Sequence, residues 1–124
     1  MIFGTGVDIV EVNRFSKLIN NPDFINRFFN KEEQQEYNNE QAMSEHYASR
    51  FAAKEAFGKA LGTGLAGFSL TDVFVKKNEN GKPYLVIQNK AEEILKNNCG
   101  ECKIHLSISH EKTFAVAYVI IETV

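Results

Sequence analysis

Residues 50–64 read RFAAKEAFGKALGTG, and any fold this chain adopts has to be built around them. Alanine, glutamate and lysine favour a helix, and the glycines at the end supply a C-cap. Carried back, the same composition predicts one helix over 44–61, the strongest in the chain. At about 100° per residue, Glu55 shares a face with Ala48, Phe51, Ala52, Gly58, Lys59 and Gly62. A glutamate ringed by alanine and glycine implies a hollow that apolar packing would have filled with leucine or valine. Gly58 adds to the puzzle, since glycine costs a helix interior about 1 kcal/mol relative to alanine. Taken alone, Glu55 also reads as half of an i,i+4 pair with Lys59, worth about 0.3–0.5 kcal/mol. Arg50, Lys54 and Lys59 crowd the helix beside Gly62, Thr63 and Gly64, and basic groups next to flexible backbone suit phosphate oxygens. By itself that loop reads as a glycine cap, because phosphate loops precede a helix and this one follows it.

Upstream stands TGVDIVEV, Thr5–Val12. Its valines and isoleucine describe a strand over 2–10, yet Asp8 sits in the middle, and burying a carboxylate without a partner costs several kcal/mol, roughly the range for unpaired ionic groups. Gly4 and Gly6 mark places where backbone approaches something closely. Asp8 and Glu11 have capping-box spacing, which predicts a helix from there to about residue 20. Pro22 opens a short helix to 29, and NKEEQQEY predicts a third helix capped by Asn30. Strands are predicted over 70–76 and 84–88 around the turn KNENGKP, a helix over 90–98, and a hairpin of strands 103–108 and 114–121 around SHEKT. The order predicts an α+β fold: a mostly antiparallel sheet packed with a long central helix, in one domain spanning 1–124.

The 124 residues suffice for a core without disulfides or structural metals. Hydrophobic residues at 44% and charged residues at 24% are those of a globular protein, and a net charge of −2 argues against nucleic acid as partner. No apolar run approaches the roughly 20 residues of a membrane span, and no secretory leader is visible, so the expected location is cytoplasmic. Cys99-Gly100-Glu101-Cys102, with His105 and His110 beyond, has the elements of a zinc site, but the two histidines point to opposite faces of one strand. A redox C-x-x-C would open a helix, whereas this one follows a helix, and a reduced turn remains. In HLSISH, His105, Ser107 and Ser109 share a strand face, and no nucleophile elbow surrounds the serines.

Four blocks, GVDIVEVNR, RFAAKEAFGKALGTG, NGKPYL and LSISH, resemble in order and spacing the holo-acyl-carrier-protein synthase family of small 4′-phosphopantetheinyl transferases. The likeness covers essentially the whole chain. It implies that Asp8 and Glu55 hold one divalent cation, usually Mg²⁺, a hard ion commonly bound by one or two carboxylates together with water and phosphate. It implies further that coenzyme A is the substrate, that Lys59 holds a phosphoryl oxygen, and that Arg50 and His110 meet the adenosine phosphates. Gly62, Thr63, Gly64, Lys82 and Pro83 would line the coenzyme A cleft, with Ser109 adding a hydroxyl. Asp8, Glu55 and Lys59 would then be the catalytic set, with Glu55 the candidate for accepting the proton of the attacking serine.

The second substrate implied is an apo acyl carrier protein. Such carriers are acidic, so Arg14, Lys17 and Arg27 are candidate docking residues, Arg14 by matching a family arginine. Members of the family are typically homotrimers with clefts shared between subunits, and Phe114, Val116 and Tyr118, alternating on one strand, suit an apolar subunit face. A protein that merely binds coenzyme A is the other reading. It would need the basic residues but would have no use for a metal at the phosphorus.

Overall fold

Small side chains on a long helix allow a sheet to lie unusually close to it, and this sets the architecture. The computed structural model describes residues 1–124. In chain order the elements are β1 (Ile2–Glu11), α1 (Phe15–Leu18), α2 (Pro22–Phe28), α3 (Glu40–Leu61), β2 (Val73–Lys77), β3 (Pro83–Ile87), α4 (Asn89–Cys99), β4 (Cys102–His110) and β5 (Phe114–Thr123). An antiparallel three-stranded sheet runs β1-β5-β4, and β2 pairs with β3 in a second, two-stranded sheet. The α+β class, the long central helix and the antiparallel pairing are as expected.

The inner face of the larger sheet carries Gly6, Val10, Ala115, Ala117, Val119 and Ile121, all buried, and α3 answers with buried Ala48, Ala52, Ala56 and Ala60. A methyl group added at Gly6 would stand 2.0 Å from the carbonyl oxygen of Ala56, and one at Gly4 2.0 Å from that of Ala60. The small residues therefore serve a backbone-to-backbone approach. The alanines that suggested a hollow around Glu55 are themselves fully packed. Gly58 has the same purpose on another side, since a methyl there would lie 2.8 Å from Gly64 where the loop after the helix folds back.

Three local expectations also change. Asp8 and Glu11 form no capping box, because both stay in the β1 ladder, opposite Ala117 and Phe114, and the helix waits for a 3₁₀ turn over Val12–Arg14. NKEEQQEY yields only a 3₁₀ turn over Lys31–Glu33. Asn30 caps it as expected, with Glu33 returning a bond to the Asn30 N–H, but the Glu33 side chain is then taken into the core. The long helix starts earlier than expected, at Glu40, where the Asn39 side chain accepts a bond of 3.0 Å from the Ala42 N–H.

Lys54 is the largest departure. Grouped by sequence with the exposed basic residues, it is fully buried and ion-paired to Glu33, and it also donates to the carbonyls of Leu70 and Val73. Burial pushes the Glu33 carboxyl up and the Lys54 ammonium down, while each charge lowers that penalty for the other. The Val75 N–H adds a bond of 3.1 Å to Glu33, so both charged groups have their hydrogen-bonding capacity met. Lys54 is therefore a structural tie and is not available to a phosphate. Replacing it with methionine leaves the Glu33 charge buried and uncompensated, and should cost about 3–5 kcal/mol in urea unfolding. Adding Glu33→Gln should recover part of that loss, because glutamine removes the stranded charge and keeps an acceptor.

Candidate active site

On β1 the alternation that turns Gly4 and Gly6 toward α3 turns Asp8 the same way. There it meets Lys59, whose Nζ donates to Asp8 Oδ1 at 3.1 Å and to the Val7 carbonyl at 3.0 Å. Glu55, one turn earlier on α3, completes the group. Its carboxyl is raised above the ordinary range, first by partial burial and then by the negative charge of Asp8, with Lys59 and Arg14 acting in the opposite sense. The two carboxylates thus feel each other across a gap in which a lysine ammonium already supplies positive charge. Asp8 is mostly covered, at 16% side-chain exposure, whereas Lys59 is 54% exposed and free to swing. Two carboxylates in mutual repulsion on an accessible rim are the donor set that a hard divalent cation takes, with its remaining positions left to water and phosphate.

Gly62 adopts φ +89 as the helix cap, and Gly62, Thr63 and Gly64 are exposed one turn beyond Lys59. Beyond the adjoining residues, no atom lies within 4 Å of where a side chain would start at Gly62 or Gly64, which leaves the backbone of this loop open to a ligand.

The other expected residues lie elsewhere. Arg50 precedes Glu55 by five positions, which turns it about 140° around the helix. It lines a recess of about 160 Å³ with His46, Lys76, Lys77 and Glu32, and its Nε is buried without a partner. His46, absent from the sequence reading, is held neutral in that recess. Its Nε2 donates to the Glu33 carbonyl at 2.6 Å, and burial followed by the Arg50 charge lowers its pKa to about 4. His110 ends β4 and meets Glu45. Ser109, opposite Val116, is exposed beside it. Lys82 and Pro83 line a separate recess of about 250 Å³ between β3 and β4, together with Tyr84 and His105. Arg14, Lys17 and Arg27 are exposed on the first helical segments, and Arg14 is close enough to act on the Glu55 carboxyl. Within one chain, then, Asp8, Glu55 and Lys59 come together, with Gly62, Thr63 and Gly64 next along the helix. Arg50 opens on the opposite side of the helix.

An acidic pair with a lysine on the rim of an α+β scaffold is a donor set with the chemistry to suit a hard cation and phosphate oxygens. The chain belongs to the 4′-phosphopantetheinyl transferase superfamily, whose model matches residues 4–119. It is 52% identical over 124 residues to the holo-[acyl-carrier-protein] synthase of Treponema denticola, covering 98% of this chain and 99% of that one. Among solved structures it is similar to the Neisseria meningitidis holo-[acyl-carrier-protein] synthase, with 32% identity, TM-score 0.86, and 99% and 100% of the two chains covered. It is also similar to the Bacillus anthracis synthase solved in complex with CoA (3′,5′-ADP), with 37% identity, TM-score 0.79, and 100% and 99% covered.

The raised carboxyl gives a sign that can be checked. Glu55 holds its proton more tightly folded than unfolded, so its ionised form weakens the fold above the folded pKa and has no effect below the ordinary carboxylate range. In metal-free buffer at neutral pH, Glu55→Gln should melt at a higher temperature than the parent chain. The difference should vanish as the pH falls below about 4, where the carboxylate is protonated in both states.

Proposed function

We propose that this chain transfers 4′-phosphopantetheine from coenzyme A to a serine hydroxyl of an apo acyl carrier protein, releasing adenosine 3′,5′-bisphosphate. The observation that carries the reading is the Asp8–Glu55–Lys59 group, found in a chain 52% identical to a holo-[acyl-carrier-protein] synthase. A protein that only binds the nucleotide has no need of two carboxylates pressed together at the phosphate.

In the transfer, the serine oxygen forms a bond to the pantetheine-side phosphorus, and the bond from that phosphorus to the bridging oxygen breaks. Asp8 and Glu55 would hold Mg²⁺, which supplies charge neutralisation at the pyrophosphate and aligns the in-line displacement. Lys59 leaves its contact with Asp8 and donates to a phosphoryl oxygen, stabilising the charge that develops on the leaving group. Glu55 is the group proposed to take the serine proton, directly or through one water. The open loop Gly62-Thr63-Gly64 gives the pantetheine arm a place beside Lys59.

The pyrophosphate engages the acidic side of α3, so the remaining phosphate of the nucleotide, at the 3′ position, falls to the basic residues. Arg50 and His110 are the groups proposed for it, with Lys82, Pro83 and Ser109 along the cleft. One chain carries the acidic and basic groups on different sides of α3, and a coenzyme A shared between neighbouring subunits reconciles them. The outer face of the larger sheet supports such an assembly, because Ile9 at 63%, Val7 at 51%, and Phe114 and Tyr118 at 42% exposure leave an apolar surface to cover. A homotrimer is proposed on that basis, acting in the cytoplasm, and no helix of the chain is long and apolar enough to cross a membrane.

Incubation with coenzyme A, Mg²⁺ and an apo carrier protein should raise the mass of the carrier by one phosphopantetheine. Asp8→Asn, which keeps shape and removes one charge from the metal pair, should reduce the rate at least a hundredfold while circular dichroism remains that of the parent, a loss of about 2.7 kcal/mol in transition-state stabilisation. Mass transfer that is absent from the parent chain but accompanied by tight coenzyme A binding would favour the binding-protein reading instead.

Docking of the acidic carrier is assigned to Arg14, Lys17 and Arg27. Arg14→Glu should raise the KM for carrier protein about tenfold and leave that for coenzyme A within twofold, since it reverses one charge on the proposed docking face. The defect should shrink in 0.5 M salt, where exposed charges are screened beyond roughly 4 Å.

A further inference from the structure

The first turns of α3 reach across to the tip of the β4–β5 hairpin through two side chains on one helix face. Gln41 donates from Nε2 to the Lys112 carbonyl at 2.9 Å and to Glu45 Oε2 at 2.9 Å. Glu45, four residues on, presents its other oxygen to His110 Nδ1 at 2.8 Å. Hairpin tips are ordinarily mobile, but this one is tied at its backbone and at the ring that stands just before it. Glu45 is the less exposed partner, at 20% against 43% for His110, so the carboxylate is the fixed element and the imidazole the one being held. With Nδ1 donating to Glu45, Nε2 of the half-exposed His110 is the nitrogen left for a ligand, and it donates to an anion when the ring is the imidazolium.

We infer that Glu45, braced by Gln41, is a positioning residue that orients His110 so that the imidazolium, with both ring nitrogens protonated, donates from Nε2 to the 3′-phosphate of coenzyme A. This rests on the proposed assignment of His110 to that phosphate. The role of Glu45 is indirect: as an anion it would repel the phosphate were it to touch it, and its contact with Nδ1 keeps it behind the ring. An acceptor oxygen at this position is what orientation needs, and its negative charge is not.

Steady-state transfer to an apo carrier, measured with coenzyme A and with 3′-dephospho-coenzyme A as donors, separates these statements. Glu45→Ala should raise the KM for coenzyme A about fivefold, the effect of an exposed pair worth about 1 kcal/mol, with kcat within twofold. The KM for the dephospho donor should not move. Glu45→Gln, which keeps the acceptor oxygen, should restore the KM for coenzyme A to within twofold of the parent. Combining Glu45→Ala with His110→Ala should add nothing to His110→Ala alone, as expected where one residue acts through the other. Equal damage with both donors, a lower KM in Glu45→Ala, additive losses, or a glutamine variant no better than alanine would each overturn the positioning role. If His110→Ala itself fails to discriminate the two donors, the assignment of His110 to the 3′-phosphate falls, and the inference falls with it. Melting temperatures of the variants within 3 °C of the parent, a shift of about 1 kcal/mol or less, would place the effect in binding.

Discussion

Backbone meets backbone where Gly4 and Gly6 of β1 lie against Ala60 and Ala56 of α3, and neither glycine has room for a methyl group. Two residues of strand advance about 6.7 Å and four residues of helix about 6 Å, so each step along β1 keeps pace with one turn of α3. Continuing the series by two residues brings Asp8 to the turn that carries Glu55, with Lys59 reaching back over it. The position of the acidic pair is therefore a consequence of how closely strand and helix pack. Were either glycine any other residue, the sheet would lift from the helix and the carboxylates would separate. The close approach has a cost, since a seam of alanine and glycine buries little apolar area for each residue. The aromatic cluster of Phe15, Phe24, Phe29, Phe51 and Tyr47 offsets it at the other end of the core.

A second constraint works from the opposite side of the same helix. The Glu33–Lys54 pair fastens the turn after α2 and the start of β2 onto α3 through bonds to Asn30, Val75, Leu70 and Val73. The Glu33 carbonyl accepts from His46, which burial and the Arg50 charge keep neutral, and His46 stands one turn before Arg50 in the same recess. The basic side of the helix is thus anchored to a buried charge pair, and the acidic side to a glycine seam. The two sides are held by different interactions, which suits a substrate with phosphate groups at two separated points.

Much of this was legible in the residues. The helix around Glu55, its glycine cap, the hairpin near the C-terminus and the antiparallel class all follow from composition and periodicity, because local propensity and tertiary packing agree there. Asp8, Glu55 and Lys59 could be named together through resemblance to a family. The strand alternation and the helical spacing each placed only half of the group. What could not be read was the consequence of long-range pairing. Capping-box spacing at Asp8 and Glu11 lost to a β ladder formed with residues more than a hundred positions away, and the helical signal of NKEEQQEY lost to the burial of one glutamate. Lys54 looked like its basic neighbours because charge carries no mark of burial in a sequence. Glu45 and Gln41 left only an i,i+4 spacing, which any exposed helix face can show.

The separation of Arg50 from Glu55 bears on why a chain this small would assemble. A helix with its side chains is about 10–12 Å across, and the sheet closes one flank of α3, so the two groups stand apart on the surface of one chain. A second chain can bring its basic side to the acidic side of the first. That contact joins two different surfaces, and a contact between unlike surfaces either closes into a ring or continues as an open filament. Closure requires the rotation between neighbours to divide a full turn, and a covered apolar face favours it by removing exposed surface from every subunit at once. In the proposed trimer the outer face of β1 and β5 takes that part, while the inner face of the same two strands fixes Asp8 against α3. One sheet would then serve assembly with one set of alternating residues and catalysis with the other. The two-residue period of a strand separates the two roles.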